Sequence, residues 1–248
     1  ELGRYGDVHV VLREELERLP ASPSGDRSFT LTCDVGQLDR RARVAARLVE
    51  SRTARQVWSE EYGDAPPHPE DFIAHTARIV AARVASEQGV VARALWSGGH
   101  PAAAEESTYG ALLRSYRFFF GRDPAEVAPA LAALERAVAR DASSALVWLQ
   151  LSRLHVANHA FEIATAPTSL ERGLACAQTA VQLDPSSQRA RGALAFALLV
   201  KGELAAGRLE AERALALNSA SLVYLETIGW LLALLGDWER GVHVVRTA

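Results

Sequence analysis

Methionine is absent from this chain of 248 residues, and cysteine occurs only twice. Cys33 and Cys176 stand far apart in sequence, so they do not read as a disulfide framework and do not set the redox compartment. A chain without Met that opens on Glu1 reads as a segment of a longer protein, which leaves a signal peptide, an anchor or an output domain upstream open. An excess of one charge is missing too. The 27 basic residues face 30 acidic ones, and a net charge of −3 provides no general attraction to nucleic acid or to an anionic membrane. No apolar run approaches the roughly 18 uninterrupted residues that would read as a membrane span; the longest candidate, Ile228 to Leu235, falls well short. Walker, GxGxxG, GxSxG, HExxH and CxxC patterns are all lacking, so no residue is assigned to catalysis, to a cofactor or to a metal. The composition, 49% hydrophobic and 23% charged, is that of a globular protein.

What the chain does contain changes character near residue 92. Val8, Val10 and Val11 give way to Leu12, Leu16 and Leu19 at helical spacing, which predicts a short strand running into an amphipathic helix. Pro20 to Asp26 is a loop of turn formers. Phe29, Leu31, Cys33 and Val35 then alternate with Thr30, Thr32 and Asp34, the period of a half-buried strand, and this puts Cys33 on the covered side as an inert thiol. Ala42, Val44, Ala46 and Leu48 alternate with Arg41, Arg43 and Arg47, and Gln56 to Tyr62 follows a second turn. Three such runs predict an antiparallel meander with one covered face and the arginines on the solvated one. Beyond Pro66, Pro67 and Pro69, a helix with Ile73, Ala77, Val80 and Val84 on one face supplies the cover to about Val91. Residues 1–92 thus read as a small α+β domain, and 93–107, with Gly98-Gly99-His100-Pro101 inside it, as a linker.

From 108 to 248 small and apolar residues recur at a fixed step. Gly173, Gly207 and Gly241 lie 34 residues apart, as do Ala177, Ala211 and Val245, and Ala180, Ala214 and Ala248. Leu194 pairs with Ile228 at the same step, Ala195 with Gly229, and Gly202 with Gly236. That period belongs to helix-turn-helix units that cannot bury an apolar face alone and stack into a solenoid. Small residues in each second helix let neighbours approach, while Tyr109, Leu112, Leu113 and Tyr116 of one first helix, and Trp148, Leu151 and His155 of the next, fill the gaps. Ala137 to Ala180 covers 43 residues, nine more than the period, so the second repeat carries an extra loop near Ala164 to Thr168. The third repeat runs from Gln188 to Ser221. The fourth opens near Leu222 and reaches Ala248 without a polar cap, so the native chain is expected to continue.

Leu183-Asp184-Pro185 and Leu-Gly-Asp-Trp-Glu-Arg-Gly at Leu235 to Gly241 make this stretch resemble the tetratricopeptide family over about 140 residues; the equivalents of the first read Arg140-Asp141-Ala142 and Leu217-Asn218-Ser219. Val44 to Tyr62, VAARLVESRTARQVWSEEY, is similar to the TolB-amino-terminal-like domain that stands directly before such repeats in bacterial signalling proteins. Trp58 and Tyr62 match it, Ala54 replaces a turn glycine, and Thr32-Cys33-Asp34-Val35 stands where the family has Glu-Gly-Ser-Val. In that family the pair is commonly fused to an OmpR/CadC-type winged helix or to an adenylate cyclase domain. The fold class expected is therefore an α+β N-terminal domain, an antiparallel sheet covered by helices, followed by an all-α tetratricopeptide-repeat solenoid of about four units.

What the resemblance implies is a non-catalytic sensory or protein-interaction region of a bacterial signalling or transcription-regulatory protein. It would sit in the cytoplasm, or in the periplasm if an anchor precedes it, without contacting nucleic acid itself, its oligomeric state open. A constitutive scaffold for envelope or complex assembly and an accessory region of a nucleotide cyclase stay open as alternatives. First helices line the concave face of such solenoids, and the register puts Arg114, Arg117, Gln150, Arg153 and Arg189 on or near it, with Phe196 and Trp230 further along. A protein or peptide is the expected partner; gathered arginines suit carboxylates, because the guanidinium fork makes paired charge-assisted hydrogen bonds, so an acidic segment of that partner is one reading of this face. The competing reading pairs these arginines with glutamates of their own helices. Gly110 and Ala193 stand where the Lys/Asn clamp of chaperone-binding repeats would be expected. His155 and His159 share a helical spacing with Glu162, but His155 occupies a packing slot, and packing is the favoured reading. Phe118-Phe119-Phe120 reads as core ahead of a partner patch.

Overall fold

A computed structural model describes residues 28–38, 41–63, 69–86, 89–97, 107–164, 169–217 and 222–247. The strand and helix expected over 7–19, the loop after them, the punctuation at 98–101 and most of the inserted loop at 164–168 lie outside those residues. The chain divides into two compact units, Glu1–Gly99 and His100–Ala248.

In the first unit β1 (Phe29–Leu38), β2 (Arg41–Glu50) and β3 (Arg55–Tyr62) form an antiparallel sheet in that order. Cys33 pairs with Ala46 and Leu48 with Trp58. Val44, Ala46 and Leu48 are buried, while Arg43 and Arg47 are exposed on the other face, where Arg43 pairs with Glu61. The alternation along β2 therefore has its expected cause, one covered face and one wet one. On β1 the expectation fails: Cys33 is exposed, and Val35 is 58% exposed. Period two sorts side chains onto two faces but does not say how far the cover extends, and here the helices lie over β2 and β3.

Those helices are α1 (Pro69–Ala85), on β2, and α2 (Val90–Ser97), on β3. The single helix expected to about Val91 is broken between them. Gly89 N donates to Ser86 O at 2.7 Å, and a Cβ on Gly89 would stand 2.5 Å from the Val84 carbonyl oxygen, so the turn closes only on glycine. Helix then resumes as far as Ser97, past residue 92. The buried stripe of α1 is Phe72, Thr76, Val80 and Val84: Val80 and Val84 are buried as expected, while Phe72 and Thr76 take the places expected of Ile73 and Ala77, which are exposed. Phe72 has the larger apolar surface to remove from water and takes the covered position.

The second unit is a succession of helix pairs. They are α3 (Thr108–Gly121) with α4 (Val127–Arg140), α5 (Ala145–Phe161) with α6 (Leu170–Leu183), α7 (Gln188–Lys201) with α8 (Leu204–Leu217), and α9 (Leu222–Leu234) with α10 (Trp238–Thr247). Each first helix packs on its own second helix and on the first helix of the next pair. This is an all-α fold of stacked, repeated helix pairs. The glycine ladder marks its closest approaches: a Cβ would lie 2.6 Å from Val156 Cγ2 at Gly173, 2.9 Å from Leu235 Cδ2 at Gly207, and 2.5 Å from the Gly229 carbonyl oxygen at Gly241. Gly202 and Gly236 follow α7 and α9 at φ of 85° and 95°, the left-handed ending that glycine adopts without strain.

Two local features complete the repeat. Where proline is missing after α4, aspartate makes the turn: Asp141 Oδ1 accepts from Ser143 N at 2.9 Å, as Asp184 Oδ1 accepts from Ser186 N at 3.0 Å. The extra length of the second repeat is partly helix, since α5 has 17 residues against 14 in α7. Beyond its end the Asn158 amide brackets Ala164, Nδ2 donating to the carbonyl oxygen at 3.1 Å and Oδ1 accepting from N at 2.8 Å.

Candidate functional site

Two rows of side chains cross the first helices. One is aromatic. Phe161 at the end of α5 stacks on Phe196 of α7, with centroids 6.3 Å apart and planes inclined by 21°, and Phe196 meets Trp230 of α9 at 6.1 Å and 48°. Phe161 is 59% exposed and Trp230 46%, with Phe196 half-buried between them. The sequence explains the spacing. Phe196 and Trp230 are one period apart, and Phe161 rides on the added length of α5.

The other row is basic and sits on rings of its own. Arg189 precedes Phe196 by seven residues, two helical turns, and so shares its face. Its guanidinium carbon lies 5.5 Å from the centroid of Tyr224, and that of Arg153 lies 4.1 Å from the centroid of Phe119. Such stacking attracts the cation to the ring face while leaving it charged. Gln150 Oε1 accepts from Arg153 Nη1 at 3.4 Å.

The expected face residues do not all gather there. Arg114 and Arg117 both turn to Glu126, at 3.6 and 3.2 Å, in the turn after their own helix. Gln150 is fully buried, at 0% exposure, beneath the face and in contact with Arg153. Arg153, Arg189, Phe196 and Trp230 belong to the two rows. Phe119, Phe161 and Tyr224 join them unforeseen, although Phe118 is core as expected. The nine extra residues hid Phe161, because the 34-residue step lengthened by that insertion, 43 residues, leads from Phe196 back to Arg153; the signal was a ring 35 residues before Phe196.

Below the rows lies a polar junction between α4, α5 and α6. His155 is buried with Nε2 4.0 Å from Glu135 Oε1, and Glu135 takes Arg172 Nη2 on both oxygens, at 3.2 and 3.1 Å. Burial holds the imidazole pKa below its usual value; Arg172 pushes the same way and Glu135 opposes. Cys176 is buried nearby, its thiol pushed up to about 11, chiefly by burial. His159 is exposed, so the two histidines divide between interior and surface. Among the described residues no group of three or more His, Cys, Asp or Glu is placed to hold a metal ion, and no helix is long and apolar enough to cross a membrane.

No family model matches the chain, and no curated protein matches it. Among solved structures, a thermophilic tetratricopeptide-repeat protein of Thermus thermophilus is similar over 72% of this chain and 85% of its own, with 18% identity and a TM-score of 0.46. The repeat assignment accordingly rests on the helix pairs and their 34-residue step in this chain.

Proposed function

We propose that this chain is a protein-interaction region of a signalling or transcription-regulatory protein, which holds a protein or peptide partner against the exposed face of its first helices. The observation that carries the reading is the aromatic row Phe161, Phe196 and Trp230. Scattered exposed apolar side chains are ordinary, but a contiguous patch of large ones marks an interaction surface, and aromatic and arginine anchors supply most of the energy at such surfaces. Stacked helix pairs of this kind use the concave side for binding. The regulatory setting is supported by the likeness of Val44 to Tyr62 to a domain that precedes repeats in signalling proteins.

A photo-crosslinking side chain in place of Trp230 is expected to trap a protein partner in the native cell, whereas the same group at Gln178, exposed on α6, is not. Equal trapping at both positions, or none at Trp230, overturns the reading. On the same reading the chain has no catalytic activity of its own. Turnover of nucleotides, esters or peptides by the pure protein, abolished by one substitution within it, would refute that part.

A further inference from the structure

We infer that the seam between the first and second helix pairs is an acid-sensitive joint, in which protonation of His155 lets α3 and α4 part from α5 and α6. The sequence sets this seam apart. With the nine-residue insertion counted, His155 takes the place that Leu198 holds in the third pair and Leu232 in the fourth, both buried. Glu135 and Arg172 correspond in the same way to Glu212 and Arg240, which tie α8 to α10 at 3.1 Å. Between the second and third pairs the two places read Gln178 and Ala206. Two seams thus carry the same cross-link, a glutamate of one second helix on an arginine of the next, and one of them sets an imidazole beside it where the other sets leucine.

Geometry leaves a second proton on that ring poorly served. Neither ring nitrogen of His155 makes a hydrogen bond among the described residues, and both oxygens of the Glu135 carboxylate, 4.0 Å away at the nearest, are taken by Arg172. The Glu135 and Arg172 side chains are 42% and 44% exposed, that of His155 7%. The ion pair reaches water and the imidazolium does not, and a buried charge without a hydrogen-bond partner is costly. Within its own pair α5 lies on α6 at its closest approach, where a Cβ on Gly173 would meet Val156 Cγ2 at 2.6 Å and His155 Cβ at 3.1 Å, so the side that yields is α4, across the seam. α6 also brings Cys176, whose thiol, pushed up to about 11, stays neutral near pH 6. α3 and α7 pack on α5 as well, but Arg114 and Arg117 go to Glu126, Arg191 to Glu210, Lys201 to Glu203 and Arg189 to the ring of Tyr224. On α5 itself His159 is exposed one turn on, and Arg153 is seated on Phe119. Burial, with Arg172 and against Glu135, holds the ring's pKa down while the joint is closed, so the open joint takes the proton first and opening grows as pH falls below 6.5. A single helix pair cannot bury its apolar face alone, so a parted first pair unravels. The consequence for binding rests on the proposed partner face: the seat of Arg153 on Phe119 spans this seam, whereas Phe161, Phe196 and Trp230 lie beyond it, so acid withdraws the first pair and spares the aromatic row.

Hydrogen exchange of the whole chain, read by mass spectrometry at pH 7.5 and 5.5 and corrected for the intrinsic rate at each pH, tests this on the protein alone. The opening equilibrium of α3 and α4 is expected to rise severalfold on acidification, to a ceiling of about tenfold set by one site that titrates at 6.5 when open. α9 and α10, tied back through Glu212 and Arg240 beside Leu232, should not respond. His155→Leu, which gives the first seam the residue of the other, should remove the response of α3 and α4; His155→Gln, polar but unable to titrate, takes its place if the leucine variant misfolds. No rise in α3 and α4, an equal rise in α9 and α10, or a rise that survives either substitution overturns the joint. Failure here and failure of the partner reading are distinct: absence of trapping at Trp230 would sink the partner and leave the exchange response as expected, while a joint that does not open would leave trapping at Trp230 unchanged.

Discussion

At single residues the fold records choices that sequence spacing only partly announces. Ala54, in the turn between β2 and β3, holds φ at 51°. An L side chain in that region costs roughly 1–2 kcal/mol, part of which glycine gives back in chain entropy. Ala54→Gly is expected to raise stability by about 1 kcal/mol, seen as a higher urea midpoint at unchanged slope; a lower midpoint would mean that the methyl group makes contacts worth more than the strain. His155 ties stability to pH. Its folded pKa is depressed below the 6.5 of the free side chain, so the unfolded chain binds the proton first as pH falls, and stability declines from about pH 6.5 downward. Relative to His155→Phe, the native chain should lose ground between pH 7 and 5.5 and hold level above 7; a difference independent of pH would show that the imidazole does not titrate differently in the fold. Residue identities were legible where a period repeated them, as at Gly207 and Val44. They were not where a partner came from elsewhere in the chain. No spacing tells Arg114 and Arg117 that Glu126 will bend back to meet them.

Elements were read more surely than faces. The 34-residue ladder located the helix pairs, because a close approach permits only the smallest side chains and so leaves a mark in the sequence. Gly207→Leu and Ala211→Trp are expected to overpack the contact between pairs and cost on the order of 1–3 kcal/mol or more. Gly192 sits within α7 with nothing inside 4 Å of a built Cβ, so Gly192→Ala should instead stabilise by about 0.5–1 kcal/mol. Melting temperatures that moved the same way for all three would contradict the packing. The break at Gly89 and the face of the first turns of α1 were hidden for a different reason. An amphipathic pattern with apolar residues at both 72 and 73 admits two stripes, and the sheet beneath selects between them. The aromatic row was half legible, two rungs by period and the third displaced by the longer α5.

For the whole molecule, each compact unit has hydrophobic residues of its own to bury, and the second holds several buried clusters along its helix pairs. Residues 100–248 produced without the first unit are expected to keep their far-ultraviolet helical signal and a cooperative melt; a chain that stays unfolded would show that the repeats depend on the first unit. Removing α9 and α10 should lower that melt by uncovering Ala195 and Ala211, since stacked repeats owe stability to their neighbours. The equal step of the rings extends further than this chain. Phe196 and Trp230 are separated by one 34-residue unit of sequence and 6.1 Å of space, so the array works as a ruler whose graduation is a repeat. Duplicating residues 188–221 in frame would set a second copy of Phe196 one unit further along and lengthen the exposed aromatic row by one ring.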